Sequence, residues 1–406
     1  MRTVAPLLLI AACSSPDVLA ARKLPSAVQP AADAVVAATN QLACDVYAKL
    51  PAGNAVFSPF SIATSLAMVD AGAAGQTDSE LRAALHLTLP SDQVATAYDA
   101  LLTSLDTGRS YGAYTLATAD RLFGQQGFAF LPSYLDTTNT GFHAPLEPVD
   151  FASNPDGART TINSWVATQT DGKIPELFPA NSIDAATRLV VANAIVFKGD
   201  WARQFDPQDT HLGTFHVSGG ADVSTLLMNA EFPIALGRLD IPAQYAVLPF
   251  RGNDLSFVIV LPDDPDGLPA VEAQLTPATL ATAFASAPLD PSEDNHITLP
   301  KFTITLDQNL TSLLGGLGIV AAFIPDQADL SGIDGTRDLY LAQVIHDATI
   351  TVDEHGAEAA AATGGDVKVT ALPPSITVDH SFIFLIHDNV TGSILFMGRV
   401  LDPRQP

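Results

Sequence analysis

LAQVIHDATITVDEHGAEAAAATGGDVKVTALPP, residues Leu341 to Pro374, is the stretch whose reading decides the fold. Its first part alternates: Val344, His346, Ala348, Ile350 and Val352 share one face, and Gln343, Asp347, Thr349, Thr351 and Asp353 the other. Ile345 alone breaks the second set, so the spacing predicts a half-buried β-strand. The run after Gly356 is built from small residues. Its charges, Glu358, Asp366 and Lys368, fall on even positions, while Ala357, Ala359, Ala361, Thr363, Gly365, Val367 and Val369 form an uncharged odd set. If this run became a strand, one face could be buried without desolvating a charge. It lacks the large apolar side chains that would pack it down as core. It therefore reads as a mobile loop already patterned as a strand.

Working outward, the string Glu354-His355-Gly356-Ala357-Glu358 followed by Ala359, Ala360, Ala361 and Ala362 resembles the hinge of the serpin reactive-centre loop, with Ala357 where Thr is commonest. Other segments resemble the same family. Asn54 to Thr64, NAVFSPFSIAT, reads as a short strand entering a helix, with Ser58 a natural cap and Pro59 at the first helical position. Thr161 to Ile174 is similar to the helix that crosses the front of the main serpin sheet. Leu189 to Trp201, LVVANAIVFKGDW, reads as a central strand buried on both faces. Asn193 inside it requires a polar partner, and His346, also on an otherwise apolar strand face, is the obvious candidate. Phe382 to Ile386 with Leu395 to Pro403 reads as a terminal hairpin, with Ser381 where the family usually has Pro.

The resemblance spans residues 31–406 and implies a single α+β domain of the serpin fold: three β-sheets, about nine helices and an exposed reactive-centre loop. It also implies a hydrogen-bonded cluster of Ser58, Ser61, Asn193 and His346 where the main sheet parts, with a gating role. Trp201 and Lys301 would lie at the top of that sheet, Lys301 as partner of Glu354. The implied activity is suicide inhibition of serine proteases, the protease being the partner and no cofactor being needed. A non-inhibitory carrier or chaperone of the same family is the alternative, though such members usually carry bulky or charged residues where this hinge has Ala357, Ala359 and Ala361. In inhibitory members the attacked residue lies about sixteen residues after the hinge glutamate and twelve before the terminal Phe. Thr370 meets both counts, 370 − 354 = 16 and 382 − 370 = 12. The expected reactive bond is Thr370–Ala371, with Lys368 as runner-up.

Composition bounds the rest. The 406 residues are 47% hydrophobic and 16% charged, which is globular. A formal net charge of −25 argues against nucleic acid or a heparin-like polyanion as partner. Residues 1–13 read as a signal segment: Arg2, the apolar run Val4 to Ala12, then Cys13 in a context resembling a bacterial lipobox. An ordinary secretory cut after Ala20 competes with it. Either expectation places a monomeric protein outside the cytoplasm, secreted or held on an outward-facing membrane by a lipid on Cys13. Residues 14–30 read as a flexible tether.

Three further features are set aside. Cys44 lies on an apolar helical pattern and is expected as a buried small hydrophobe. Gly108-Arg109-Ser110-Tyr111-Gly112 fits a nucleophile-elbow pattern, but the run before it looks helical and the run after it extended, the reverse of what exposes such a serine. His211 and His216, five apart on what reads as extended chain, show no standard metal spacing and are expected to have no Cys or carboxylate companion, so no metal site is expected.

Overall fold

The computed structural model describes residues 22–110, 112, 114–286, 294–356 and 373–405, with backbone alone at 117–120. In chain order the elements are α1 (Gln29–Tyr47), β1 (Ala55–Phe57), α2 (Pro59–Asp70), α3 (Gly75–Ala84), α4 (Ser91–Ser110), β2 (Thr115–Gln125), α5 (Pro132–Gly141), β3 (Leu146–Val149), α6 (Pro155–Gln169) and β4 (Leu189–Lys198). There follow β5 (His211–Phe215), β6 (Val223–Pro233), β7 (Ala235–Arg238), β8 (Ala243–Pro249), β9 (Leu255–Pro262), α7 (Leu268–Glu272), α8 (Pro277–Ala285), β10 (Asp294–Pro300) and β11 (Phe302–Asn309). The chain closes with α9 (Thr311–Gly316), α10 (Ser331–Asp334), β12 (Ile345–Val352), β13 (Ser375–Thr377), β14 (Phe382–Asp388) and β15 (Ile394–Val400). The described residues thus carry ten α-helices, against the nine or so expected; α10 is a single turn.

The strands form three sheets. The main one runs β11-β12-β4-β2-β3, a second β1-β15-β14-β9-β8-β7, and a third β13-β10-β6-β5. Helix α2 is the spindle between the first two. Its N-terminus is fixed locally: the Ser58 hydroxyl accepts the Ser61 N–H at 3.1 Å, and Pro59 takes the first position, where no N–H is needed. Every residue of α2 is buried, as a helix apolar on all sides requires. The strands β9, β14 and β15 are buried along their whole length, and β14 pairs antiparallel with β15 as the terminal hairpin. On the opposite face of the main sheet α6 seals a separate cluster, in which Ile162 and Val166 meet Phe123, Ala192, Ala194 and Ile345.

Two expectations need correction. Strand β12 is more than half-buried: on its second face Ile345 and Asp347 are buried, Ile345 within the cluster that α6 seals, while Thr349 and Thr351 remain partly exposed as the alternation predicts. The tether does not extend to residue 30. Helix α1 begins at Gln29, and the Arg22 side chain is fully buried, bridging to Asp388 at 2.9 and 3.2 Å and donating to the Ser104 hydroxyl. No helix among the described residues is long and apolar enough to cross a membrane.

Candidate functional site

Strands β12 and β4 run parallel in the middle of the main sheet, yet their ladder extends only from Asp347 to Thr349, opposite Ala194 to Val196. On the two sides the sheet is zipped far longer: β11 meets β12 from Phe302 to Asn309, and β2 meets β4 from Thr115 to Gly124. Parallel pairing is also the weaker kind per residue. This seam is the least-bonded line of the main sheet, and side chains close it at both ends.

At one end, where the ladder stops, Asn193 and His346 join across the seam. His346 Nδ1 lies 2.9 Å from the Asn193 carbonyl oxygen, and its Nε2 accepts the Ser58 N–H at 3.0 Å. The Asn193 amide donates to the Ser61 hydroxyl at 2.5 Å and to the Ser61 carbonyl at 3.1 Å. Complete burial pushes the His346 pKa down to about 3, so the ring is neutral and its one proton sits on Nδ1. The four residues expected to cluster are thus in one hydrogen-bonded group, pinning β4 and β12 to the first turn of α2.

At the other end the clamp is Trp201. It stacks on Phe250 at 4.9 Å, donates its backbone N–H to the His355 carbonyl at 3.0 Å and its indole N–H to the Asp353 carbonyl at 2.9 Å. Lys301 Nζ meets Glu354 at 2.6 Å, and the Thr210 hydroxyl donates to the other carboxylate oxygen at 2.8 Å. Burial pulls the Glu354 pKa up, but the hydrogen bonds from Lys301 and Thr210 outweigh it and hold the carboxyl below its ordinary range. Gly356 has φ 135°, and a Cβ there would lie 2.1 Å from the Gly199 carbonyl and 2.7 Å from the Trp201 nitrogen. Only glycine lets the chain leave β12 so close to β4.

The remaining hinge residues Ala357 to Ala362, Lys368, the bond Thr370–Ala371 and Cys13 lie outside the described residues. Sequence reasoning missed Thr210, Asp353 and Asp347. Burial, reinforced by the charge of and a hydrogen bond with the Asp307 carboxyl opposite in register, pushes the Asp347 pKa up to about 8, and among the described residues Asp347 Oδ1 has no hydrogen-bond partner. An aspartate on the face shared with Ile345 was the available signal. Cys44 is buried, its thiol pushed up to about 12 by desolvation and then by Asp45. Ser110 ends α4 with its hydroxyl on the Thr107 carbonyl, a helix before it and β2 after it. His216, expected without carboxylate companions, has two brought by the fold, Asp222 at 2.8 Å and Asp266 at 3.4 Å. Among the described residues no cluster of three or more metal-ligating side chains is formed.

Comparison with known proteins agrees with this geometry. The family model described as "Serpin (serine protease inhibitor)" matches residues 37–403. Leukocyte elastase inhibitor A of Mus musculus is 39% identical over 360 residues, 87% of this chain and 94% of that protein. Leukocyte elastase inhibitor of Homo sapiens is 37% identical over 377 residues, 90% and 98% of the two chains. A crystal structure of maspin superposes with a TM-score of 0.81 at 27% identity, covering 92% of this chain and 100% of that one. A main sheet held shut by a short parallel ladder, with a strand-patterned segment hinged at its top, is in this chain the architecture of the serpin family, to which the protein belongs.

Proposed function

We propose that the protein inhibits serine proteases by trapping them on the segment that follows Gly356. The observation that carries this reading is the seam. The chain leaves β12 through a tight reversal at Asp353–Gly356, so a segment inserted beside β12 would run antiparallel to it and, because β12 and β4 are parallel, antiparallel to β4 as well. One short parallel ladder would become two antiparallel ones. With a net gain of about 0.5–1.5 kcal/mol per hydrogen bond, a dozen new bonds supply on the order of 10 kcal/mol.

In the proposed sequence the protease serine oxygen bonds to the carbonyl carbon of Thr370. The Thr370–Ala371 amide breaks, and the serine proton leaves on the new Ala371 amine. Insertion then competes with hydrolysis of the ester. The sixteen steps from Glu354 to Thr370, at about 3.3 Å each, allow a displacement of about 50 Å. That drags the bound enzyme across the inhibitor and spoils its catalytic geometry. Val369, Thr370 and Ala371 are small, which suits elastase-like or subtilisin-like enzymes with shallow pockets, and the names of the mouse and human relatives point the same way. We place the protein outside the cytoplasm, as a bacterial lipoprotein anchored at Cys13 or as a product cut after Ala20. Unchanged membrane partition of Cys13→Ser would select the second.

The test is incubation with an elastase-type protease. The expected result is an SDS-stable band at the summed mass and a released peptide beginning at Ala371. A peptide beginning at Val369 would move the reactive bond to Lys368. Rapid cleavage with no stable band would overturn the inhibitory reading.

A further inference from the structure

Among the described residues four large apolar side chains stand exposed, and two of them are cross-strand neighbours: Leu212 on the edge strand β5, 74% exposed, faces Leu226 on β6, 42% exposed. Their sheet face is core-forming elsewhere, where Met228 on β6 and Leu299 on β10 are fully buried in register. At Leu212 and Leu226 that face is exposed, although Thr225 and Leu227 on the opposite face of β6 are buried. Both strands are tied to the hinge: the Leu226 carbonyl accepts the Lys301 N–H, and Thr210, one residue before β5, holds Glu354 together with Lys301. The far end of the bait segment is anchored on the same sheet, where β13 pairs with β10.

We propose that the Leu212–Leu226 pair is an auxiliary docking surface for the protease body, contacted while the enzyme's cleft holds the bait; this rests on the inhibitory reading above. Chain length fixes the placement. Pro373 is three steps along the chain from Thr370, so the reactive bond lies within about 10 Å of the anchored end. From β13 the sheet extends three strand spacings to β5, about 14 Å, and five residues from His296 to Lys301, about 17 Å. The pair is therefore about 22 Å from the anchor. A protease domain of about 230 residues has a radius of gyration of about 17 Å and is about 45 Å across, so its body overhangs the sheet out to β5. Asp206 and Asp209 stand exposed just ahead of Leu212, against one cation, Arg203. With a net charge of −25, the surface fits an enzyme that carries an apolar prominence rimmed by basic side chains beside its cleft.

The experiment compares second-order rate constants of complex formation with an elastase-type protease for wild type, Leu212→Ser, the double variant with Leu226→Ser, and Val320→Ser, an exposed control elsewhere. The expected result is a fall of about tenfold in the double variant, the loss of one anchor contact, with the ratio of complex to cleaved inhibitor unchanged and the control at wild-type rate. Leu212→Ser alone, at a position with little packing to lose, should fall about threefold, which keeps the test valid if the double variant misfolds. Equal rates in all four proteins overturn the docking surface and leave the inhibitory mechanism standing. Absence of any complex in the wild type overturns that mechanism and the docking surface with it. A concentration-dependent wild-type dimer that Leu212→Ser dissolves assigns the pair to a second copy and overturns the proposal as well.

Discussion

Replacing Asn193 with alanine tests whether the seam is held by its side-chain links. Asn193 is buried, and among the described residues it is the partner of both the His346 Nδ1 proton and the Ser61 hydroxyl. The neutral ring cannot relieve the loss by moving its proton, because Nε2 must accept the Ser58 N–H. Each buried polar group left unpaired costs about 1–3 kcal/mol, and the Ser61 carbonyl keeps its helical bond. The sum is about 3 kcal/mol. With an unfolding entropy of about 2.1 cal/mol/K per residue, a domain of this length loses about 4 °C of thermal midpoint. The assay is thermal unfolding at pH 7.5, with Ser164→Ala on the exposed face of α6 as control. The same variant should lose protease-trapping capacity on storage, since a loosened seam accepts the uncleaved segment. An Asn193→Ala protein that melts within 1 °C of wild type and stores equally well would refute the argument.

Three other outcomes follow. Asp347→Asn should flatten the pH dependence of stability: with a folded pKa raised to about 8, the native state holds a proton the unfolded chain gives up near pH 4, so stability is full below about pH 4 and falls as pH rises through 8. At pH 8.5 the variant should exceed wild type by about 2 kcal/mol, read from melts at pH 5 and 8.5; equal slopes would dismiss the buried acid. Gly356→Ala should cost about 3 kcal/mol and slow trapping, because the new Cβ meets backbone rather than a side chain that can yield; denaturant unfolding checks it. Ala359→Glu or Ala361→Glu should leave Thr370–Ala371 cleavable but turn the inhibitor into a substrate, whereas Ala360→Glu should be mild, the difference being a charge carried into the sheet unpaired at several kcal/mol. Equal loss at positions 359 and 360, measured as the ratio of complex to cleaved product, would mean that alternation does not govern insertion.

Local chemistry was legible in advance. Ser58 and Pro59 announce a helix start by themselves, and the strand reading of Ile345 to Val352 needed only the period of two. Asn193 and His346, each a polar residue on an apolar strand face, asked for a partner that could be identified without coordinates. What stayed hidden depends on what covers a surface. Asp347 looks like a solvated residue in sequence, although the fold buries it beside Ile345. Arg22 looks like part of a linker because its partner, Asp388, lies 366 residues away and leaves no local trace. Leu212 and Leu226 fit an ordinary strand pattern, and nothing in sequence says that their part of the sheet face is left uncovered. The carboxylates beside His216 are likewise brought by loops rather than by spacing.

The Arg22 bridge sets the length of the leash on which an anchored molecule would be held. If Cys13 carries lipid, the fold holds the chain from Arg22 and not from Pro30, so at most 21 − 13 = 8 residues, spanning no more than about 28 Å, lie between anchor and body, where 30 − 13 = 17 residues would have given about 60 Å. A body held that closely would be confined to a thin shell above the bilayer and would reach only proteases that approach within that layer. The bridge also fixes where the leash can be re-engineered. Extra residues inserted before Arg22 should lengthen its reach without touching the fold, and any inserted after it must first pull a buried guanidinium away from Asp388.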